Sequence, residues 1–324
     1  MPPSPGWTAH SIVAEPIALA ALMLDALLGW PNRLYARVGH PVGAFARLIH
    51  WAEWRWNRAT APEASRRLRG VITLLLLVAA GGGGGLAVEW LARTVAPDQA
   101  WWLIALAAWP ALAQRSLYDH VRAVALPLGR GDWADARRKV ARIVGRDTED
   151  LDESGIARAT IESLAESVCD GVIAPLFWLL LLGLPGLWAF KAISTADSLI
   201  GHREPRWRAF GWASARADDI ANYIPARLSG LLLCLAAPGG WRTMARDHAA
   251  HASPNGGWPE AAMAGALGVA LGGPVSYDGA IHAKPWINVG GGPARSVDLA
   301  RALSIYVRTC LLAWAIAGGL AWAL

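Results

Sequence analysis

Val71–Leu91 reads VITLLLLVAAGGGGGLAVEWL, and Glu89 is its one charged residue. A helix crossing a hydrocarbon core needs about 20 mostly apolar residues, so this stretch sets the class of the chain. Its five glycines, Gly81–Gly85, have no Lys-Ser/Thr after them and do not make a phosphate loop. Small residues inside an apolar helix instead let a neighbouring helix approach closely. Three other runs approach spanning length: 11–28, weakened by Glu15 and Asp25; 100–117, opening on Trp101-Trp102; and 303–324, uncharged after Arg308. The expected fold is all-α, a polytopic integral membrane protein with about four spanning helices (11–28, 71–91, 100–117, 303–324) and one membrane-embedded domain over 1–324.

Shorter apolar runs fill out this picture. Val172–Phe190 is interrupted by Gly183-Leu184-Pro185-Gly186, a turn signal whose proline cannot continue a helix ladder. Leu228–Ala237 and Ala261–Gly273 are shorter still. Runs of that length read as re-entrant, interfacial or buried helices. His40–Asn57 reads as an amphipathic helix, with Phe45, Leu48, Ile49, Trp51 and Trp54 on its apolar side.

The composition agrees. Of 324 residues, 54% are hydrophobic and only 17% charged, against roughly 25% in soluble domains. Nineteen Trp suit apolar–water boundaries. Cys169, Cys234 and Cys310 are far apart, with no metal spacing or disulfide framework, which points to a reducing compartment. The net charge is +5, and residues 31–70 hold eight Arg where 1–29 hold no Lys or Arg. With no nucleic-acid motif beside it, this bias orients membrane segments and gives no nucleic-acid partner. The N-terminus lacks a basic region before its apolar run, so no cleavable signal peptide is expected. By the positive-inside rule 31–70 faces the cytoplasm, both termini face outside, and the polar stretch 118–302 forms a cytoplasmic or interfacial catalytic face.

Four polar strings carry chemistry. In Gly155–Gly171, Arg158, Glu162, Glu166 and Asp170 recur every four residues and stripe one helix face. Carboxylates leading into an apolar segment are expensive unless used, and Glu162, Glu166 and Asp170 suit Mg²⁺. In KAISTADSLIGHR, Lys191, Thr195 and Ser198 share a face suited to phosphate, with Asp197, His202 and Arg203 beside them. In FGWASARADDIANYIPAR, Asp218, Asp219 and Asn222 suit a metal–phosphate site flanked by Arg216 and Arg227. SPNGGWPE, with Asn255, Trp258 and Glu260, is a binding loop, and Lys284-Pro285-Trp286 and His40-Pro41 complete the candidates. Ion pairing and helix capping explain several of these residues equally well. No Ser-His-Asp order, zinc spacing or dinucleotide fingerprint is present. The residues alone point to phosphate or nucleotide chemistry with Mg²⁺ on a membrane protein.

These strings, with HPVGAFARLIHWAE and SPNGGWPEAAMAGALGVALGGP, together resemble the CobD/CbiB family, the adenosylcobinamide-phosphate synthases of cobalamin biosynthesis, over roughly residues 20 to 310 in the same order. Ser167 and Ser194 depart from the family pattern, where Asn is usual, and lose the amide's reach and donors. The resemblance implies an ATP- and Mg²⁺-dependent ligase that joins the propionate carboxylate of adenosylcobyric acid to an aminopropanol, usually as its O-phosphate. Expected partners are those two substrates, the lipid bilayer and other late enzymes of the pathway. On this reading Glu166, Asp170, Lys191, Asp197, Asp218 and Asp219 are catalytic. Metal falls to Glu162, Glu166, Asp170 and Asp218, with Asp197 and Asp219 the alternative. Phosphates fall to Lys191, Arg203, Arg216 and Arg227, and the amine proton goes to a carboxylate or His202. His40, Ser198, Asn222, Asn255, Trp258, Glu260 and Lys284 complete the substrate contacts. A scaffold for corrinoid enzymes or a transporter is the competing reading. A transporter would place its ionisable groups at mid-membrane in broken spans.

Overall fold

The computed structural model describes residues 15–323. Of the described residues, 15–113, 174–221 and 314–323 form one compact unit, and 114–173 with 222–313 a second. Helices α1 (Ile17–Leu28), α2 (Asn32–Val38), α3 (Val42–Trp56), α4 (Glu63–Val95) and α5 (Ala100–Ala108) open the chain. Then come α6 (Gln114–Gly129), α7 (Trp133–Val140), α8 (Glu153–Val168), α9 (Ala174–Ile200), α10 (Trp212–Ala221), α11 (Tyr223–Ala236), α12 (Trp241–Asp247) and α13 (Gly257–Leu267). Strands β1 (Leu271–Gly272), β2 (Val275–Tyr277), β3 (Ala280–His282) and β4 (Trp286–Ile287) precede the last helix, α14 (Ser296–Ala323).

In the first unit, α9 packs along α4. Gly70, Leu77, Gly81, Gly85 and Glu89 all lie on the buried face of α4. A Cβ on Gly85 would stand 2.6 Å from the Leu184 carbonyl oxygen, and one on Gly81 2.5 Å from that of Trp188. Glycine is therefore required there by the approach of another backbone. The turn expected at 183–186 is present: Gly183 takes φ +66°, ψ −156° and breaks α9 ahead of Pro185. The amide of Leu184, an orphan donor at the start of the new helical segment, donates to buried Glu89 at 3.3 Å. Arg93 in turn pairs with Glu15 at 2.9 Å, so the acids that interrupt the apolar runs are used. A core of Phe45, Ile49, Leu77, Ala196, Ile200 and Phe210 joins α3 to α4 and α9. Trp51 and Trp54, expected on the apolar face of α3, point outward, 48% and 79% exposed.

Three helical stretches are long and apolar enough to cross a membrane: Glu63–Val95, Glu153–Ile200 and Ser296–Ala323. The first covers the expected 71–91, and the third covers the expected 303–324 up to residue 323, the last described residue. The expected helix at 100–117 is not continuous. α5 ends at Ala108, a 3₁₀ turn covers Trp109–Ala111, and α6 starts only at Gln114. Pro110 has no amide hydrogen with which to carry an α ladder through. Of the expected 11–28, α1 covers 17–28 and residues 11–14 lie outside the described residues. The remaining long stretch, Glu153–Ile200, lies within 118–302, which the sequence places wholly on one face. The four-span count, and with it the placing of both termini outside, does not follow from these helices.

In the second unit, α13 packs on α8, α11 and α12. The fold is mainly helical, yet 271–287 supplies four short strands that the all-α reading lacks. β1 pairs antiparallel with β4 (Leu271 opposite Ile287), and β2 with β3 through the turn Asp278-Gly279. Both turn residues have positive φ, 50° and 76°, as a tight hairpin turn requires. Asp147 fastens that turn, accepting from Ser276 Oγ at 2.6 Å and from the Gly279 amide at 2.9 Å. These bonds hold its carboxyl below the usual aspartate range.

Candidate functional site

Helix α8 begins at Asp152, whose carboxylate accepts from the Gly155 amide at 2.7 Å and caps the helix. From that start α8 presents Arg158, Glu162 and Glu166. Glu162 is buried and fully engaged: Oε2 meets Arg146 Nη2 at 2.5 Å and Oε1 accepts from the Gly272 amide at 2.6 Å. Arg146 neutralises it, and both of its oxygens are engaged within the fold. The four-residue stripe also fails at its last member. A π-helical turn, Cys169–Ile173, follows Val168, shifts the register and carries Asp170 to an exposed position.

Glu166 meets partners remote in sequence. Its Oε1 lies 3.2 Å from His251 Nε2, and Glu260 Oε1 lies 3.7 Å from the same nitrogen. Among the described residues, this is the one group of three potential metal-binding side chains whose ligand atoms all fall within 4.8 Å of one another. The Glu166 side chain is 44% exposed, whereas that of Glu260 is 5% exposed. Burial, reinforced by the neighbouring Glu166 charge, raises the Glu260 carboxyl well above the usual glutamate range. His251 Nδ1 accepts from the Ser253 amide at 3.1 Å, and Ser253 Oγ accepts from the Asn255 amide at 3.2 Å. A Cβ on Gly256 would come within 2.7 Å of His251 Cε1 and 3.1 Å of Glu166 Oε1. The Gly in the SPNGGWPE loop is thus what lets imidazole and carboxylate meet.

The second unit also holds cations against aromatic rings. The Arg227 guanidinium lies 3.5 Å from the centre of the Tyr223 ring and 4.8 Å from that of Trp258. It also donates to Asn255 Oδ1 at 3.4 Å. Trp258 stacks on His248 with centroids 4.0 Å apart. Arg158 sits over Trp286 at 4.9 Å. Lys284 donates to the Tyr277 hydroxyl at 3.3 Å and acts electrostatically on Glu166. Asn222 is buried and accepts from Cys169 Sγ at 3.6 Å. His251 and Arg146 are absent from the sequence-based candidates, although His251 stands two residues before the SPNGGWPE string.

The remaining candidates belong to the first unit. Asp197 is near enough to Asp219 and His202 to feel the charge of both, and Arg216 Nη1 approaches Asp219 Oδ2 at 3.6 Å. Lys191 acts on His40, whose imidazole is held below its ordinary pKa by burial first and that charge second. His40 Nδ1 also accepts from the Val42 amide at 3.2 Å, where α3 starts. The hydroxyls of Thr195 and Ser198 donate to carbonyls one turn back, Lys191 at 2.6 Å and Ser194 at 2.9 Å. His202 lies against Trp207, and Arg203 is exposed. Asp218 is half-buried on α10. Of the expected ligand set, Glu162, Glu166 and Asp170 belong to α8 and its π turn in the second unit, and Asp218 to α10 in the first.

The family model described as CobD/Cbib protein matches residues 18–306. A cobalamin biosynthesis protein CobD of Rhodobacter capsulatus is 49% identical over 298 residues, covering 90% of this chain and 92% of the relative. One from a Sinorhizobium species is 44% identical over 307 residues, covering 91% and 94%. One from Brucella anthropi is 44% identical over 302 residues, covering 90% and 92%. No solved structure matches.

Proposed function

The chain belongs to the CobD/Cbib family of cobalamin biosynthesis, and from that premise we propose that it is an ATP-dependent amide-forming ligase. Its substrates would be adenosylcobyric acid and an aminopropanol carried as its O-phosphate, and its product adenosylcobinamide phosphate. The enzyme would be a multi-pass protein of the cell membrane with its active face in the cytoplasm.

A carboxylate is a poor electrophile, so ATP must first activate it as an acyl phosphate. The protein must then hold phosphate oxygens and present a neutral amine. The observation that carries the reading is the grouping in the second unit of Arg227, Arg158 and Lys284 with Glu166, His251 and Glu260. Arg227 is fixed by two rings and Asn255, which suits a guanidinium that clamps a phosphate. Trp286, 42% exposed, offers apolar surface to a large ring system.

Each group is assigned on its own unit's geometry. Mg²⁺, the ion that accompanies ATP, takes oxygen ligands. Asp197, Asp218 and Asp219 fit it better than a set containing imidazole, and it would neutralise phosphate charge there. Lys191 and Arg216 add cations for nucleotide phosphates. His202, close enough to act on Asp197, is the imidazole placed to accept the proton of an attacking ammonium.

The test is incubation of purified, detergent-solubilised protein with adenosylcobyric acid, (R)-1-aminopropan-2-yl phosphate, ATP and Mg²⁺, with the amide product read by mass. Lys191→Ala and Arg227→Ala are run alongside, and both are expected to lose at least tenfold in turnover. Product at wild-type rate from both variants would keep the ligase and remove these assignments. No product from folded, corrinoid-binding protein would refute the ligase and favour a scaffold.

A further inference from the structure

We infer that Glu166, His251 and Glu260 form a three-ligand site for a divalent transition metal of the Zn²⁺, Mn²⁺ or Co²⁺ class, separate from any Mg²⁺ that accompanies a nucleotide. The inference concerns a bound ion and does not rest on the amide-forming reading.

Four features carry it. The donor atoms converge: Nε2 of His251 lies 3.2 Å from one carboxylate oxygen and 3.7 Å from the other. Two carboxylates gathered around one imidazole, one of them almost fully buried, are costly without a positive charge among them. Among the described residues, His251 is the only ion-pair partner of either carboxylate, while the nearby Arg146 is committed to Glu162. One imidazole nitrogen with two carboxylates suits borderline first-row ions, whereas Mg²⁺ takes oxygens. The site is also open on one side, because Glu166 is 44% exposed. Three protein ligands with a free position are the pattern of metal sites that bind a water or substrate oxygen.

The surroundings match a supported metal ligand. His251 Nδ1 faces the Ser253 backbone, 3.1 Å from its amide nitrogen and 3.4 Å from its carbonyl oxygen. Metal-bound histidines commonly donate their second ring N–H to a backbone carbonyl. With the Nδ1 proton given to the Ser253 carbonyl, the Nε2 lone pair would be free for the ion. Gly256 supplies the space, and Ser253 Oγ pins the loop through the Asn255 and Gly256 amides.

The experiment uses full-length protein in detergent, stripped with chelator and then titrated separately with Zn²⁺, Mn²⁺ and Mg²⁺. Affinity is read by calorimetry and content by elemental analysis. Wild type is expected to hold one Zn²⁺ or Mn²⁺ per chain, not displaced by millimolar Mg²⁺. His251→Ala and Glu260→Gln should each weaken it at least about 100-fold, judged against the 10–100-fold typical of losing an outer-shell partner. Asp119→Asn, an exposed carboxylate paired with Arg115, should bind as wild type. Should a variant fail to fold, pulsed electron paramagnetic resonance of Mn²⁺ on wild-type protein gives the same answer through a histidine nitrogen coupling. No stoichiometric binding by folded wild type would overturn the site, leaving the carboxylate pair holding a proton. Binding untouched in both variants, or Mn²⁺ without nitrogen coupling, would overturn it equally. None of these readouts depends on turnover, so loss of the ligase reading would leave the ion test intact.

Discussion

Glu162→Ala tests the claim that this carboxylate holds the fold and does not ligate a metal. The wild-type side chain is 5% exposed, its partner Arg146 is 12% exposed, and the two meet at 2.5 Å. Removing one partner of a buried pair costs about 3–5 kcal/mol, because the other charge stays buried without compensation. The Gly272 amide, bonded at 2.6 Å, also loses its acceptor, and an unmet buried donor costs about 1–3 kcal/mol. The two losses share a partner and overlap, so about 4–6 kcal/mol is the expected total. Glu162→Gln keeps an acceptor for Gly272 while losing the charge, and should cost about 2–3 kcal/mol. The double variant Arg146→Met with Glu162→Leu removes both charges and should recover much of the Glu162→Ala loss. At about 2–4 °C per kcal/mol, Glu162→Ala should lower the thermal midpoint in detergent by about 8–24 °C. Intrinsic fluorescence of the many Trp residues gives a direct readout. A fall below about 2 °C, or single losses that simply add in the double variant, would refute the reasoning and return Glu162 to the list of available ligands.

Three further outcomes follow from the geometry. Glu260, with its folded pKa raised from 4.5 by burial and by Glu166, resists ionisation that the unfolded chain undergoes freely; its contribution is whole below pH 4.5 and is lost as pH rises toward the folded value. In metal-free protein Glu260→Gln should therefore be more stable than wild type at pH 8, and thermal midpoints measured from pH 4.5 to 8 should show the gap closing toward the acid end. Gly256→Ala presses a methyl group to within 2.7 Å of His251 Cε1. It should cost about 1–3 kcal/mol and lower turnover or metal affinity at least tenfold, with circular dichroism unchanged. On α4, Gly85→Ala meets the Leu184 carbonyl at 2.6 Å and should destabilise, whereas Gly83→Ala meets nothing within 4 Å. The second should gain about 0.5–1 kcal/mol from helix propensity, and equal midpoints for the two would contradict the α4–α9 packing.

What the sequence revealed was local, and what it hid required contacts between distant residues. Gly183 and Pro185 announce a break because each acts through its own backbone, by positive φ in one case and a missing amide hydrogen in the other. Pro110 carried the same signal, but hydrophobicity around it hid the end of a helix inside an apolar run. Asp278-Gly279 is an equally legible hairpin signal, set in a chain whose composition argues for helix. The stripe Arg158, Glu162, Glu166, Asp170 assumed one helical period, and the π turn at 169–173 ended that period before its last member. Within the stripe, nothing local separates Glu162 from Glu166. Only the chain's return brings Arg146 and Gly272 to the first, and His251 and Glu260 to the second. Equal spacing on a helix therefore gave two glutamates opposite duties. One is neutralised and holds the β1 edge to α8, while the other is left half in solvent beside an imidazole and a buried acid. That difference in remaining valence, more than any motif, separates scaffold from site in the second unit.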